Sequence, residues 1–511
     1  MAGEHADAVV IGAGLGGLAA ACYLAREGHR VVVLEHHSVP GGYAHDFTRK
    51  GFTFEVALHA IDGAAPGGWV YRVLRELEVL DRVTFRRLDP FYTARYPEHE
   101  VTAHADPMAY EAELVRLFPA QAAGFRALIE TMIGAFCDTR RFQEDGEAGR
   151  RPPFEEIPQH YPRMVEAMST SWEQYLGRFV DDPRAQSVFS TLWGYFGMPP
   201  SRLNAATFVL PWVSYHLFGA YYPLGRSMAL SRALEDYLVE HGGEIRYRQT
   251  VEDIEVDEGK AVAVSTSKGM RITADVVISN ANPRDTITFI GLDNLEDDYI
   301  KQVTDPIPSL SNLVVYLGVK GDLRKAGWPH HEHFVFETYD LEQEYRNAIE
   351  GNFTDAGIVL SHYSTIDPEA APPGSSVLVA MTLASWEHAD RWGTAGELDG
   401  YRRNPAYRAA KEAAGRALIE RVERLVPGLA GAVRVSEVAT PLTNWRYSRN
   451  THGSIYGSEQ SVDNMYLGRL PATTPIPNLF LTGAWVMGGG MSTALLSGRA
   501  TARRAARHLG R

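Results

Sequence analysis

The sequence contains little cysteine and no uninterrupted apolar run. Cys22 and Cys137 are the only cysteines among 511 residues, so a disulfide framework is excluded, no metal site is predicted, and the chain suits a reducing cytosol. The stretch 203–225 lacks Asp, Glu, Lys and Arg, but Pro211 and Gly219 would interrupt a helix there. Because a spanning helix needs about 20 mostly apolar residues, we interpret this stretch as a pocket wall or a membrane-dipping surface.

Positive charge is also in short supply. The net charge of −13 argues against nucleic acid as a partner. Glu4 and Asp7 do not fit a signal peptide, so we expect a cytoplasmic protein and leave peripheral contact with a membrane open. The content of 45% hydrophobic and 22% charged residues is ordinary for a soluble enzyme. A length of 511 residues predicts two or more domains.

The N-terminal segment carries the strongest pattern. Residues 8–11 are apolar and β-branched, which predicts a buried strand. The glycine-rich run 12–17 follows directly, and 18–28 then shows a helical pattern that stops at a glycine. A second predicted strand, 31–34, ends at Glu35. The sequence therefore predicts a β-α-β unit that contains a G-x-G-x-x-G motif.

Each part of this unit suits a dinucleotide. Gly12 allows the tight turn, Gly14 lets the backbone approach a pyrophosphate, and Gly17 lets the helix pack close to the strand. The helix N-terminus offers free N–H groups to phosphate, and Glu35 can accept hydrogen bonds from a ribose. We find no second unit of this type in the sequence. A built-in nicotinamide domain is therefore not expected, and electrons would pass to an external acceptor or come from an external donor.

Four further stretches identify the kind of dinucleotide. The first is 41–45, which contains a glycine doublet. The other three are 51–59, 441–457 and 475–484. Together with the N-terminal unit, they resemble the two-dinucleotide-binding-domain flavoproteins of the amine oxidase superfamily. The resemblance is closest to the phytoene desaturase, carotenoid isomerase and retinol saturase branch. One departure is that Tyr43-Ala44 stands where many relatives carry a basic residue.

The resemblance implies an α/β fold, in which a Rossmann-like two-dinucleotide-binding-domain flavoprotein encloses an interleaved α+β substrate domain. The FAD-binding domain is expected over 1–90, 221–290 and 440–511. The substrate-binding domain is expected over 91–220 and 291–439. The resemblance also assigns the following residues to FAD: Gly12, Ala13, Gly14, Leu15, Gly16, Gly17, Glu35, His36, Gly41, Gly42, Tyr43, Ala57, Leu58, His59, Val251, Asn280, Gly483, Ala484, Met491 and Ser492.

The segment 91–220 is predicted to be a mainly helical insertion. Within it, 139–162 is charged and rich in proline and glycine, which predicts a loop. The stretch 193–222 carries many aromatic residues, which are candidates for the wall of an apolar tunnel. They are Trp193, Tyr195, Phe196, Trp212, Tyr215, Phe218, Tyr221 and Tyr222.

The resembling enzymes exchange hydride between flavin N5 and a carbon of an apolar, often polyene, substrate. The resemblance thus implies an FAD-dependent oxidoreductase that desaturates, saturates or isomerises a carbon–carbon bond. Saturation or isomerisation needs a proton donor or a group that stabilises transient charge. His59 is the first candidate because the fold would place it beside the flavin, and Glu55 and Tyr447 are the other catalytic candidates. Asp62 is a weaker one.

Two alternatives remain at this point. An amine oxidase-type flavoenzyme would need an aromatic cage and a polar amine site, neither of which is evident in the sequence. A non-enzymatic carrier of prenylated or lipid-like molecules, of the GDP-dissociation-inhibitor type, shares the fold without bound flavin. The intact Glu35, the glycine doublet and the C-terminal glycine run 488–490 argue against a carrier.

Overall fold

The computed structural model describes residues 4–510, which form an α/β protein with four sheets. The strands are β1 Glu4–Ile11, β2 Val31–Glu35, β3 Asp46–Arg49, β4 Phe52–Glu55, β5 Ile61–Asp62, β6 Phe85–Arg87, β7 Tyr92–Arg95, β8 Glu100–Ala103, β9 Ala220–Pro223, β10 Glu244–Tyr247, β11 Val251–Asp257, β12 Lys260–Thr266, β13 Arg271–Ser279, β14 Ser311–Lys320, β15 Glu332–Val335, β16 Ile358–Ser361, β17 Ser375–Ala384, β18 Val433–Ala439 and β19 Leu479–Leu481.

Helices surround these sheets and fill much of the segment between β8 and β9. They are α1 Leu15–Arg26, α2 Trp69–Glu76, α3 Pro107–Leu117, α4 Ala122–Glu147, α5 Ile157–His160, α6 Pro162–Ser169, α7 Trp172–Gly177, α8 Pro183–Phe189, α9 Ala205–Phe218, α10 Arg226–Glu240, α11 Pro283–Ile290, α12 Asp297–Thr304, α13 Leu341–Glu350, α14 His388–Gly393 (a left-handed turn), α15 Pro405–Leu425, α16 Leu429–Ala432, α17 Pro441–Ser448, α18 Ala484–Met487 and α19 Met491–His508.

The first sheet has the order β10-β2-β1-β13-β12-β11, and β19 also pairs with β13. The pairs β10–β2, β2–β1, β1–β13 and β13–β19 are all parallel, whereas β12 joins antiparallel. The seven strands come from 1–90, 221–290 and 440–511, the three segments predicted to bind FAD. The Rossmann-like fold is thereby confirmed, while the domain boundaries themselves stay a prediction.

The second sheet has the order β18-β14-β17-β16-β15-β7-β8 and is antiparallel except for the pair β15–β7. Its strands come from 91–220 and 291–439. In the register of β15 with β16, Glu332 lies directly opposite Ser361. This sheet therefore presents a polar pair at one end, and that pair reaches the site described below.

The two ends of the chain pack against each other. Helices α1 and α19 approach so closely that a Cβ on Gly498 would lie 2.3 Å from the carbonyl oxygen of Gly16 and 2.7 Å from Cβ of Ala19. Only a residue without a side chain fits such a contact. As a result, the start of α1 is held against the middle of α19.

The prediction of a loop over 139–162 was wrong at both ends, because α4 continues to Glu147 and α5 occupies Ile157–His160. The carboxylate of Glu147 accepts hydrogen bonds from Arg72 at 2.6 Å and from Arg499 at 2.7 Å. These ion pairs hold the end of α4 against α2 and α19, so charges that suggested an exposed loop instead stabilise a helix end. Within 4–510, no helix has both the length and the apolar character needed to cross a bilayer.

Candidate functional site

One cavity of about 360 Å³ lies where both ends of the chain meet the second sheet. It opens at the carboxyl ends of parallel strands, since Ile11, Glu35, Asn280 and Thr482 all line it. Open α/β sheets bind ligands at this edge. Of the predicted site residues, the following line the cavity: Gly12, Gly14, Leu15, Gly16, Glu35, His36, Gly41, Gly42, Tyr43, Ala57, Leu58, His59, Val251, Asn280, Tyr447, Gly483, Ala484, Met491 and Ser492.

The glycine-rich loop supplies one wall. Gly14 is the N-cap of α1 and no side chain caps this helix, so its first N–H groups are free for an anion. A Cβ on Gly14 would lie 2.8 Å from Nδ2 of Asn280, so the loop and the end of β13 touch. Gly17 has a different function, because a Cβ there would lie 2.1 Å from the carbonyl oxygen of Gly12. Gly17 thus serves helix–strand packing and lies outside the cavity lining.

Glu35 ends β2 and ties the loop to that strand. Its Oε2 accepts a hydrogen bond from the N–H of Ala13 at 2.7 Å, and its Oε1 accepts one from the N–H of His37 at 2.7 Å. Burial raises the pKa of the Glu35 carboxyl, although these N–H donors oppose the rise. Ala13 itself is fully buried and contributes its N–H rather than a surface of the cavity. The carboxylate therefore positions the loop as well as lining the predicted ribose site.

The glycine doublet lies in the segment between β2 and β3 and contacts the glycine-rich loop. The N–H of Gly41 donates to the carbonyl oxygen of Ala13 at 2.7 Å. With φ of +104°, Gly41 occupies a conformation that other residues rarely adopt, and a Cβ there would lie 2.1 Å from the carbonyl oxygen of Ala44. Tyr43 follows, and its hydroxyl donates to the carbonyl oxygen of Ser454 at 3.1 Å. Burial raises the pKa of Tyr43 to about 12, so the position that is basic in many relatives is neutral here.

The C-terminal turn forms the neighbouring part of the wall, because a Cβ on Gly16 would lie 3.0 Å from Cα of Gly483. Gly483 has φ of +90°, and its N–H donates to the hydroxyl of Ser497 at 2.9 Å. Helix α19 begins at Met491 without a side-chain cap, which leaves its first N–H groups free. The hydroxyl of Ser492 donates to the carboxylate of Asp62, so this turn is hydrogen-bonded to the segment that follows His59. Burial raises the pKa of Asp62.

His59 belongs to a polar cluster in the cavity wall. Its Nδ1 lies 2.8 Å from the hydroxyl of Ser361 and 3.0 Å from Oε1 of Glu332. The ring of Tyr195 stacks on the imidazole, with 5.6 Å between ring centroids and 26° between planes. The Tyr195 hydroxyl donates to the same Oε1 of Glu332 at 3.1 Å. A carboxylate, an imidazole and a phenol therefore meet where the second sheet contacts the loop between β4 and β5.

Sequence reasoning did not identify Glu332. Its side chain is 1% exposed, and it stands in the run His330-His331-Glu332-His333 at the start of β15. This concentration of imidazole and carboxylate within a strand was the available signal. Burial acts to raise the pKa of Glu332, but the His59 and His331 rings and the Ser361 hydroxyl together hold it below its usual value. The carboxyl is therefore ionised at neutral pH.

Glu55 does not line the cavity. Its carboxylate accepts hydrogen bonds from the N–H of Ser227 at 2.8 Å, from the Ser227 hydroxyl at 2.6 Å and from the Tyr222 hydroxyl at 3.2 Å. It also accepts one from the N–H of Val56 at 3.0 Å. Glu55 is completely buried, and burial raises its pKa. This network favours a structural role for Glu55, which joins β4 to α10, over the predicted catalytic role.

Tyr447 lines the cavity but lies beside the segment that follows β2. Its ring meets that of His37 edge to face, with 5.1 Å between centroids. Because His37 follows Glu35 closely, this contact favours a place for Tyr447 near the predicted nucleotide end rather than a catalytic role. Of the predicted aromatic wall, only Tyr195, Phe196 and Tyr215 line the cavity.

The features of the cavity fit a flavin dinucleotide. Two uncapped helix starts, at Gly14 and Met491, can receive anionic or carbonyl oxygens, and the Glu35 carboxylate lies at the end of β2. A Cβ on Gly41 would overlap the carbonyl oxygen of Ala44, so only glycine at this position lets the doublet lie against the glycine-rich loop. The chain would therefore hold FAD between its two ends.

Comparison with known proteins agrees with this geometry. Prolycopene isomerase 1, chloroplastic, of an Oncidium hybrid cultivar is 28% identical over 530 residues, covering 99% of this chain and 85% of the relative. All-trans-retinol 13,14-reductase of Macaca fascicularis is 27% identical over 530 residues, covering 96% of this chain and 84% of the relative. These similarities extend over nearly the whole chain.

Solved structures confirm the fold. An oxidoreductase from Methanosarcina mazei has a TM-score of 0.65 at 18% identity, covering 97% of this chain and 99% of that one. Putrescine oxidase bound to putrescine has a TM-score of 0.63 at 15% identity, covering 98% and 99%. The family model described as "Flavin containing amine oxidoreductase" matches residues 15–506. The chain therefore belongs to the flavin-containing amine oxidoreductases, and it is an oxidoreductase with FAD as its cofactor.

Proposed function

We propose that this FAD-dependent oxidoreductase acts on a carbon–carbon bond of an apolar substrate, such as a polyene or an isoprenoid. The reaction would be a saturation, a desaturation or a cis–trans isomerisation. The observation that carries the proposal is the His59 cluster, which joins an imidazole to a wall of apolar and aromatic residues. That wall comprises Pro211, Tyr195, Phe196, Tyr215, Met381, Ile455 and Tyr456. The names of the relatives, a prolycopene isomerase and a retinol reductase, support the same substrate class.

FAD, when bound, supplies two-electron redox chemistry at a carbon atom. The chain has to hold the substrate, exclude water and control a proton. Tyr195 and Phe196 line the cavity on the side of His59, where an extended apolar molecule would displace water. His59 is the proposed group that exchanges a proton with the substrate. Its ring lies in the cavity wall with only Nδ1 engaged by hydrogen bonds among residues 4–510.

Oxidation of an amine is the second candidate, because of one observation. Asp62 is a carboxylate in the cavity lining, and a buried carboxylate can bind a substrate cation. However, Asp62 already accepts the Ser492 hydroxyl, and the His59 ring adds a basic group to the same wall. An apolar substrate therefore suits the cavity better than a cationic one.

Electron exchange with an external donor or acceptor belongs to the same proposal, since the sequence carries a single dinucleotide fingerprint. An apolar substrate also has to arrive from a lipid phase. We therefore include peripheral contact between a cytoplasmic protein and a membrane. Co-sedimentation of the purified protein with phosphatidylcholine vesicles tests this contact, and protein that stays wholly in the supernatant would contradict it.

The substrate class is tested under anaerobic conditions with the purified holoenzyme. All-trans-retinol and a cis-polyene such as prolycopene are incubated with oxidised and with dithionite-reduced enzyme, and putrescine serves as the amine. We expect saturated, desaturated or isomerised products of a polyene by chromatography, and no bleaching of the flavin spectrum by putrescine. Bleaching by the amine, without polyene products, would overturn the proposal.

A variant pair tests the role of His59. His59→Phe should keep FAD and lower turnover at least tenfold, as expected when an acid–base group that contributes about 10²–10⁴-fold is lost. His216→Phe is the matched control, because this buried ring lies outside the cavity lining and neither of its nitrogens has a hydrogen-bond partner among residues 4–510. It should leave turnover unchanged. Full turnover of His59→Phe would remove His59 from the mechanism.

A further inference from the structure

Two strands of the second sheet deliver a carboxylate and a hydroxyl to one nitrogen of His59. Glu332 on β15 and Ser361 on β16 are direct cross-strand neighbours. Cross-strand side chains on one face lie about 5 Å apart, close enough to share one partner. Both reach Nδ1 of His59, at 3.0 Å and 2.8 Å. Nδ1 therefore has two acceptors, while Nε2 has no hydrogen-bond partner within the part of the chain that the structure describes.

The acceptors are unequal, because one is charged. Glu332 is almost completely buried, and its Oε2 has no hydrogen-bond partner among residues 4–510. An ionised carboxylate in such a place costs several kcal/mol unless a positive or donating group faces it. A protonated Nδ1 satisfies this need, and charge-assisted hydrogen bonds are about twice as strong as neutral ones. The Ser361 hydroxyl can then donate or accept, whereas the carboxylate can only accept.

Other titratable groups also face His59. The Nε2–H of His331 donates to the carbonyl oxygen of His59 at 2.8 Å, and the same nitrogen lies 3.8 Å from Oε2 of Glu332. Tyr195 stacks on the imidazole, and Tyr363 donates to the carbonyl oxygen of Leu58 at 2.8 Å. Burial raises the pKa of both phenols well above the usual value, so they stay neutral. Glu332 is thus the charged group in contact with the ring.

We propose that Glu332 is a positioning residue that keeps a proton on Nδ1 of His59 and thereby leaves Nε2 as the ring nitrogen that exchanges a proton with a ligand in the cavity. Tyr195 contributes by fixing the plane of the ring and by donating to the same carboxylate oxygen. The arrangement of the protein groups stands on geometry alone, while the use of Nε2 on a substrate rests on the proposed function. The same logic of carboxylate, imidazole and free nitrogen operates in acid–base triads.

The first test reads the proton directly, without a substrate. Histidine is labelled with ¹⁵N in the holoenzyme, and the ring signals of His59 are assigned by their loss in His59→Gln. We expect Nδ1 to be protonated at pH 7 to 8. In Glu332→Gln the ring should carry less of its proton on Nδ1, because a neutral acceptor holds this proton less strongly than a carboxylate does. An unchanged ¹⁵N pattern in this variant would overturn the proposal.

Two further variants keep the test decisive. Glu344→Gln removes another buried carboxylate, which lies outside the cavity lining, and it should leave the His59 signals as they are. Ser361→Ala removes the neutral acceptor and leaves the charged one, so Nδ1 should stay protonated even if Glu332→Gln does not fold. A ring that carries its proton on Nε2 in Ser361→Ala would show that Ser361, not Glu332, holds the proton, and would refute the role of Glu332.

A kinetic test extends the inference to the substrate. With all-trans-retinol as the probe, the pH profile of kcat/KM should change shape in Glu332→Gln, because the group that holds the Nδ1 proton is lost. A merely structural role predicts lower activity at every pH with a profile of unchanged shape, which would overturn the proposed use of Nε2. If retinol and other polyenes are not turned over at all, the proposed function fails, and the ¹⁵N measurement still decides the role of Glu332.

Discussion

Replacement of Gly41 by alanine is the sharpest test of how this protein holds its cofactor. Gly41 has φ of +104°, and a new Cβ would lie 2.1 Å from the carbonyl oxygen of Ala44 and 2.4 Å from the hydroxyl of Ser231. Both neighbours are fixed, because Ser231 donates to Ala44 at 2.6 Å. Alanine can therefore be accommodated only if the glycine doublet moves away from the glycine-rich loop, to which the N–H of Gly41 is bonded.

Two terms set the size of the effect. A non-glycine residue in a sparsely populated backbone region costs about 1–3 kcal/mol. Overpacking of a filled site costs about another 1–3 kcal/mol. If only about 2 kcal/mol of this total opposes the bound arrangement, the affinity for FAD falls about 30-fold. The remainder lowers the free energy of unfolding of the apoprotein.

Gly242→Ala is the matched control. Gly242 also has a positive φ, of +83°, but no heavy atom lies within 4 Å of a Cβ built there. The control therefore reproduces the backbone strain without the steric overlap, at a position outside the cavity lining. We expect it to lower stability slightly and to bind FAD like the wild type.

The assay is titration of the apoproteins with FAD, followed by flavin fluorescence, together with the flavin-to-protein absorbance ratio after gel filtration. Gly41→Ala should lose flavin on the column while Gly242→Ala retains it. Wild-type affinity in a folded Gly41→Ala protein would refute the claim that the doublet must lie against the glycine-rich loop. Equal losses in both variants would attribute the effect to backbone strain alone.

Two other predictions concern carboxylates. Glu35→Ala removes the acceptor of the Ala13 and His37 N–H groups. FAD binding should therefore weaken at least tenfold, and the melting temperature of the apoprotein should fall. Full cofactor occupancy in this variant would contradict the assignment of Glu35 to the ribose end. Burial raises the pKa of Glu344 from 4.5 to about 7, so the folded state binds this proton more tightly than the unfolded state does. The free energy of unfolding should therefore fall by about 3 kcal/mol as pH rises from 4.5 to 7. In chemical unfolding, Glu344→Gln should lack this part of the pH dependence, and the same dependence of the unfolding free energy on pH in variant and wild type would contradict the prediction.

The nucleotide half of the site could be predicted because its determinants are local. Strand, glycine turn, helix and acid follow one another within 4–35, and each residue type has a backbone reason to stand where it does. The positive φ of Gly12, at +92°, and the close packing of Gly17 are consequences that a short sequence motif encodes directly. Ala13 and Gly17 nevertheless turned out to support the cavity from behind rather than to line it.

The half of the site around His59 could be predicted only in part. His59 was predicted because the resembling fold would place it beside the flavin, but its partner Ser361 is 302 positions away in the chain. No local sequence pattern indicates that β15 and β16 contact the loop between β4 and β5, where His59 lies. Glu55 is the converse case, since its carboxylate bonds Ser227 and Tyr222 in the interior and does not line the cavity.

This contrast has a consequence for how specificity is distributed in the molecule. In the predicted site, the first sheet and the two chain ends would hold the dinucleotide with backbone N–H groups and glycines, which allow little variation in side chain. The second sheet supplies Glu332 and Ser361, which touch His59 through side chains alone. Exchange of residues on β15 and β16 can therefore change the proton chemistry without disturbing the cofactor. The choice among saturation, desaturation and isomerisation should accordingly depend on the second sheet, where the carboxylate that controls the imidazole is placed.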